Sequence, residues 1–399
     1  MLEYSEAVRP TAPTRQALVR VARQAFDVGE ALDWKSYDPY DILLSPLASL
    51  VRDRSPLLAR ILLQLGRRSG WRARRLLRIP PHEEPKALAD FVQAAVMLGR
   101  SGERWASTHL PTLSDRLQQH ATITSAGYGW GLQFPWISRF GGIGAGEPNI
   151  YTTTVACRAF LDEYELERRA TSLEAAIGGV RFILDGLGSL THGGRLWLRY
   201  TASSTSPIIN VQASSASLFA RVFEYYGEDV VLEAADRAAE AVVASQRTDG
   251  SWTYSDDARG AFVDGFHSGF TLQGLQEYVE RREARAVPGA VDAIAAGLAY
   301  FKQHLLTPDG LPRGFADGRV SLDGQNLAQC IQTLLVCGDD GDAGTAARIW
   351  ERGLTGLQLE ESARPALRWD VGPFVLCTAF LLRATDAVRA GNGSRLPSR

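Results

Sequence analysis

A segment that returns five times governs what this chain can fold into. Each copy is a short polar cluster followed at once by a run of small and apolar residues. The copies read PNIYTTTVACRAFLDEY from Pro148, INVQASSASLFARVFEYYG from Ile209, DGFHSGFTLQGLQEYV from Asp264, DGQNLAQCIQTLLV from Asp323 and WDVGPFVLCTAFLLR from Trp369. Their starts lie 61, 55, 59 and 46 residues apart. Recurrence on this scale marks a repeat architecture, in which one supersecondary unit stacks on copies of itself. Between the copies, apolar residues fall at helical spacing: Leu173, Ile177, Val180, Ile183 and Leu184 in one gap, Leu232, Ala235, Ala239, Val242 and Val243 in the next. Residues 288–305 and 343–357 follow the same pattern. A small-residue helix alternating with an amphipathic one predicts an all-α fold, an α/α toroid. Its inner helices are packed on both sides and its outer helices keep a polar face toward water.

Stretches within 15–28, 39–65, 84–98 and 112–120 supply further helices. The total is about twelve or thirteen, enough for about six hairpins. The expected domain is one toroid over residues 1–389, in which 1–33 form an N-terminal arm and helix. Residues 390–399 are expected to be a disordered tail. Residues 194–200, 246–254 and 309–315 read as short hairpins, the last two with an Asp-Gly turn that lets an aromatic tuck back onto the ring.

A net charge of −2 does not suggest a nucleic-acid partner. The first residues lack the apolar core of a signal peptide, and no run approaches the roughly 18 apolar residues of a membrane span. Cys157, Cys330, Cys337 and Cys377 all fall inside predicted helices beside apolar neighbours, which reads as buried, reduced thiols in a cytoplasmic protein. No zinc-type spacing occurs, and no metal or organic cofactor is indicated. The stretch from Arg52 to Arg78 holds nine arginines among leucines. Such a segment is either a solvated outer face or a peripheral contact with the inner face of a membrane. Oligomeric state is not legible.

The segment from Gln246 to Trp252 fits Q-x-x-x-G-x-W, the core of the repeat in prenyltransferase and terpene-cyclase toroids, although carbohydrate-active toroids use similar Asp-Gly-Ser-Trp turns. Longer stretches are more specific: DWKSYDPYD from Asp33, EPKALADF from Glu84, GYGWGLQFPWISR from Gly127, PNIYTTTVA from Pro148 and DGFHSGF from Asp264. In that order they resemble a family of bacterial toroid proteins often encoded among polysaccharide-synthesis genes, within the wider set of six-hairpin glycosidase and terpenoid-cyclase-like toroids. The resemblance runs from about Asp33 to Leu382. It implies the fold and a link to saccharides, but no settled reaction. Where that family usually carries a histidine soon after the aspartate, this chain has Asp323-Gly-Gln325, which excludes an imidazole at that point.

If the repeated segments are the inner ring, their N-termini share one rim, each with unpaired N–H groups and partial positive charge. Asn149, Asn210, Asp264, His267, Asp323, Trp369 and Asp370 lie at or near those starts, with Arg368 adjacent. Asn149, Asn210 and Asp323 are equally natural helix caps. The glycine-punctuated loop 127–139 carries Trp130, Gln133, Trp136 and Arg139, either a sugar-stacking surface or an aromatic plug. Gly141 to Gly146 reads as a mobile loop or lid. Asp264 with His267 is the leading acid/base pair, and Asp38 is a second carboxylate candidate. The expected function is a carbohydrate-active enzyme of hydrolase, lyase or uronyl-epimerase type, acting on an acidic saccharide in cell-surface polysaccharide metabolism. The alternatives are a terpenoid cyclase or prenyl-chain enzyme, disfavoured by the lack of Asp-Asp-x-x-Asp or Asp-x-Asp-Asp and by a polar rim, and a non-catalytic saccharide-binding or assembly protein.

Overall fold

Polar cluster and small-residue run do separate jobs: the first starts a helix, the second lets it pack closely against its neighbours. A computed structural model of the protein describes residues 13–48, 54–67, 69–357, 359–391 and 393. In chain order the helices are α1 (Arg15–Ala31), α2 (Pro56–Arg67), α3 (Trp71–Leu76), α4 (Pro85–Arg100), α5 (Leu110–Gln119), α6 (Ile150–Glu167) and α7 (Ala170–Arg181). There follow α8 (Ile209–Tyr226), α9 (Asp229–Ala244), α10 (Gly265–Arg282), α11 (Ala290–His304), α12 (Gly324–Cys337), α13 (Asp340–Leu354) and α14 (Gly372–Arg389). The five repeated segments are α6, α8, α10, α12 and α14. With α4 they close a ring in which each packs on the next and α14 returns to α4. Helices α5, α7, α9, α11 and α13 back five of them, and α1 backs α14, so the two ends of the described chain complete the sixth hairpin.

The burial pattern separates the layers as the sequence predicts. In α12 every residue from Gln325 to Cys337 is buried, whereas α9 buries one stripe that includes Val231, Ala235, Ala239 and Val242. Small residues permit close approach: a Cβ on Gly274 of α10 would lie 2.6 Å from the carbonyl carbon of Ala213 in α8. All four cysteines are buried, and none of them forms a disulfide. The segment Leu367–Arg389, which includes α14, is long and apolar enough to cross a membrane. However, 72% of its most apolar window is buried inside the protein, as befits an inner core helix.

Three antiparallel hairpins decorate the ring: β1 (Thr122–Thr124) with β2 (Gly127–Gly129), β3 (Trp136–Ser138) with β4 (Gly141–Ile143), and β5 (Ser189–His192) with β6 (Arg195–Leu198). At 246–254 the expected tuck occurs: Trp252 is buried and its Nε1–H donates to the Val242 carbonyl at 2.9 Å. At 309–315 it does not, because Phe315 stays 58% exposed. The region 39–65 supplies no ring hairpin. It and α3 build a small second core of Tyr37, Tyr40, Ile42, Leu43, Leu63 and Phe134 over the rim. The basic stretch is two helices, α2 and α3, with residues 49–53 and 68 outside the described set. The expected tail disorder falls almost wholly on residues that are not described.

The close approach at Gly274 yields a test. Gly274→Ala adds one methyl against backbone that cannot rotate away, and overpacking of this kind costs about 1–3 kcal/mol. A thermal or urea melt is expected to show that loss. An unchanged melting curve would mean that α8 and α10 do not approach this closely.

Candidate active site at the helix N-termini

The inner helices all begin at one end of the ring, and a pocket of about 380 Å³ opens there. Its floor comes from first turns: Tyr151 and Thr152 of α6, Asn210 of α8, and Phe266 and His267 of α10. Arg368 and Trp369 enter from a π-helical turn, Leu367–Val371, that precedes α14. Such wide turns re-aim side chains and recur at functional sites. The β3–β4 hairpin roofs the pocket with Trp136, Ser138, Arg139, Phe140 and Ile143, and Tyr40, Tyr200, Tyr254 and Phe262 form the walls. The expected polar rim is therefore corrected: nine of the lining residues are aromatic.

Asp264 and His267 form a dyad whose spacing is set by the helix start. As N-cap of α10, Asp264 accepts the His267 backbone N–H on Oδ1 at 2.8 Å. Its Oδ2 lies 2.7 Å from His267 Nδ1. An Nδ1–H directed at this carboxylate leaves Nε2 as the basic nitrogen. The imidazole meets the Tyr254 ring edge-to-face with centroids 4.5 Å apart.

Asp38 is not a free acid or base, which corrects its expected catalytic role. Arg368 donates to both carboxylate oxygens, from Nε at 2.6 Å and from a terminal nitrogen at 2.9 Å, with both residues buried. The Tyr40 N–H adds a third bond at 2.9 Å. Asp38 thus positions Arg368, whose guanidinium stacks over Phe134 and Trp369. Arg139 also lines the pocket, and its described contacts are the Arg259 carbonyl at 3.2 Å and the Phe262 ring, neither of them a carboxylate.

Other expectations divide. Trp136, Arg139, Asn210, Arg368 and Trp369 line the pocket beside His267. Asn210 is not a cap, because Ile208 holds that position; its Oδ1 is buried without a hydrogen-bond partner, as is Thr152 Oγ1. Asn149 is the cap of α6, accepting the Thr152 N–H at 3.0 Å, and is not a lining residue. Trp130 is fully buried, with its Nε1–H on the Leu117 carbonyl at 2.8 Å, so it is part of the plug. Gln133 turns inward onto the Gly131 carbonyl at 3.1 Å. Asp323 caps α12 and accepts the Trp369 Nε1–H at 3.0 Å, acting behind the site. Asp370 points the other way, into a separate cavity with Leu322, Arg352 and Phe374. Gln325, at the position without the usual histidine, donates to the Arg368 carbonyl at 2.6 Å.

Several site residues escaped the sequence reading, Tyr151, Lys86, Asp90, Tyr200 and Tyr254 among them, whereas Phe266 was expected near the rim. Tyr151 and Phe266 line both the rim pocket and a smaller cavity in the lumen, where Lys86 and Asp90 form a buried ion pair at 2.5 Å. Burial pulls the ammonium down and pushes the carboxyl up. The available signal was the i,i+4 pair of opposite charges on an otherwise small and apolar helix. Tyr200 and Tyr254 carried no signal beyond being aromatic; burial pushes the Tyr200 hydroxyl up to about 12 and Tyr254 well above its usual value. Among the described residues no cluster of three or more His, Cys, Asp or Glu side chains is placed to hold a metal.

No protein-family model matches the chain and no curated protein matches it in sequence. Solved structures do match in fold. Cellobiose 2-epimerase from Bacillus thermoamylovorans superposes with a TM-score of 0.57 at 9% identity, over 77% of this chain and 90% of that one. A family 76 α-1,6-mannanase from Salegentibacter gives 0.52 at 12%, over 75% and 89%. A family 76 mannosidase from Bacteroides thetaiotaomicron gives 0.53 at 11%, over 93% and 100%. The chain therefore has the α/α-toroid fold of these proteins.

Burial, with the nearby charges of Asp323 and Asp38, pushes the Asp370 carboxyl up to about 7. An acid raised above its unfolded value binds its proton more tightly in the folded state, so it is without penalty below about pH 4 and opposes folding progressively up to and above its folded pKa. Asp370→Asn should therefore stabilise the protein above pH 7, by up to about 4 kcal/mol, with no gain at pH 4. Denaturant unfolding at several pH values checks this; a pH-independent difference would contradict the placement of Asp370.

Proposed function

We propose that the protein is an enzyme that moves a proton at carbon in an acidic saccharide, of uronyl-epimerase or lyase type. The observation that carries this reading is the Asp264–His267 dyad in a pocket with two guanidinium groups and no carboxylate among its described lining residues. Solved structures of the same fold include sugar epimerases and mannan hydrolases, which supports a saccharide substrate. Hydrolysis by inversion or retention calls for two carboxyl groups, roughly 5–10 Å apart, flanking the bond. Within the described pocket no such pair is available, so the hydrolase member of the expected set loses support.

A uronyl carboxylate placed on Arg139 and Arg368 would have its charge offset in the form that builds up when the adjacent carbon loses its proton. His267 Nε2 takes that proton, and Asp264 stabilises the resulting imidazolium. Return of a proton to the opposite face, from a tyrosine such as Tyr200 or Tyr151, completes an epimerisation. If the bond to the neighbouring ring oxygen substituent breaks instead, the electron pair leaves with that oxygen, which is then protonated, and the result is an elimination. The aromatic walls supply stacking for sugar faces, and Asn210 and Thr152 add polar side chains to the lining.

A prenyl-diphosphate reading gains aromatic walls but finds no acid to serve it. Asp257 caps a short turn, and Asp339 with Asp342 closes a capping box on α13.

The decisive experiment is turnover of uronate-containing oligosaccharides in deuterated water, followed by mass spectrometry and by absorbance of the unsaturated product. Wild-type protein should incorporate deuterium or form the unsaturated sugar. His267→Ala should lose about 10²–10⁴-fold in kcat, the typical contribution of an acid/base group. Asp264→Asn should lose less and shift the pH profile. Binding of the same sugars by wild type with neither exchange nor elimination would replace this reading with a non-catalytic saccharide-binding one.

A further inference from the structure

Helix α2 presents two opposite faces, and among the described residues only one of them is packed against the fold. Ala59, Leu63 and Gly66 are buried on one side against the small second core. Leu57, Leu58, Ile61 and Leu65 lie on the other side and are 67%, 50%, 47% and 64% exposed. At 100° per residue these four fall within an arc of about 100° on the helix. Leu76, at the end of α3, is 84% exposed. A monomeric soluble protein scatters its exposed leucines singly; a contiguous stripe of four calls for an occupant. From Arg54 to Ile79 the sequence holds eight arginines and no aspartate or glutamate. Arg60, Arg67, Arg72 and Arg75 are exposed on α2 and α3.

We propose that α2 and α3 form an interfacial docking surface for an anionic phospholipid bilayer. The apolar stripe enters the boundary between headgroups and acyl chains while the arginines engage the headgroups, the pairing that defines a surface-lying amphipathic helix. A second copy of the chain is a poorer occupant, because an isologous contact would bring two acid-free, arginine-rich segments together. The docking surface is tied to the pocket. Arg60 donates to the Ser138 carbonyl in the roof hairpin at 2.5 Å, and Arg67 reaches Asp323, which also holds Trp369. Docking sets the mouth of the pocket within one helix of the lipid surface, where a saccharide carried on a lipid would be presented. The binding itself does not depend on the catalytic reading.

Co-sedimentation of the full chain with vesicles tests it. The protein should pellet with phosphatidylcholine vesicles that contain phosphatidylglycerol, stay in solution with phosphatidylcholine alone, and be released by high salt. Leu57→Glu with Ile61→Glu should cut the bound fraction at least roughly tenfold, as removal of the apolar anchor predicts. The far-UV circular dichroism and melting temperature should not change, because both side chains are exposed. Arg72→Gln with Arg75→Gln should weaken binding and flatten its salt dependence. Absence of binding to the anionic vesicles, or equal binding by the Leu57/Ile61 variant, overturns the proposal. So does a dimer in sedimentation that the same variant splits into monomers, since a second copy would then own the stripe.

Discussion

The structure depends on how closely its inner helices can approach each other. Six helices form a closed ring only if their facing sides are nearly flat, and glycine, alanine, serine and threonine provide that. Gly274 against the backbone of Ala213, and Gly269 against Gln329 and Thr333, are places where a larger side chain has no room. Closure then fixes direction. Each inner helix is followed by an outer one running back, so every inner helix begins at the same end. The site is a consequence of this geometry: six helix starts, three of them capped by Asn149, Asp264 and Asp323, are brought to one rim. Chain ends matter as well, because α1 completes the sixth hairpin by packing on α14.

The ring was legible because its signal is repeated and its chemistry is coarse. Five copies of a polar cluster before a small-residue run identify five inner helices, and α4 followed from its apolar periodicity. The site was legible only where a residue's role is decided locally. Asp264 and His267 are three residues apart at a helix start, so their contact follows from helix geometry. Asp38 and Arg368 are 330 positions apart, and nothing local announces that one exists to hold the other. Asn210 read as a cap because asparagine caps well, yet its helix begins one residue earlier and its amide is left for the pocket. Trp130 and Trp136 sit in one short loop, yet the first is plug and the second is roof. The β3–β4 register decides which, and glycine-rich loops do not disclose register in advance.

The lumen below the pocket carries several polar side chains. Lys86, Asp90, Gln273, Gln325 and Gln329 project into it, each tied to a partner: Lys86 to Asp90, Gln325 to the Arg368 carbonyl, and Gln329 to Gln273 at 2.9 Å. At the opposite mouth most of the arginines are paired as well, Arg383 being the exception, its guanidinium pushed down by burial and by Arg100. Arg221 holds Asp162 and Glu165, Arg158 holds Glu277, and Arg281 holds Glu224. The clamp of Arg221 and Arg100 keeps the Glu165 carboxyl down at about 2 despite its burial. Arginines near helix C-termini also oppose the partial negative charge that accumulates there. Among the described residues the far end is therefore satisfied by the protein itself except at Arg383.

The rim is satisfied differently, and on that difference rests the proposal of an anionic ligand. None of its four aspartates is a lining residue of the pocket. Asp38 is consumed by Arg368, Asp264 by His267 and its cap, and Asp323 by its cap and Trp369. Asp370 is turned into another cavity and holds its proton to about 7. What remains exposed to a ligand is the Arg139 guanidinium, the Arg368 guanidinium beyond its ion pair, the imidazole and the positive ends of the helices. A neutral sugar could stack on such aromatic walls. In the proposed reading a carboxylate answers the charge, and a charge-neutralised carboxylate beside the reacting carbon also makes that carbon acidic enough for a single histidine to deprotonate. The same arrangement that favours an anionic ligand thus favours the proton transfer proposed for it.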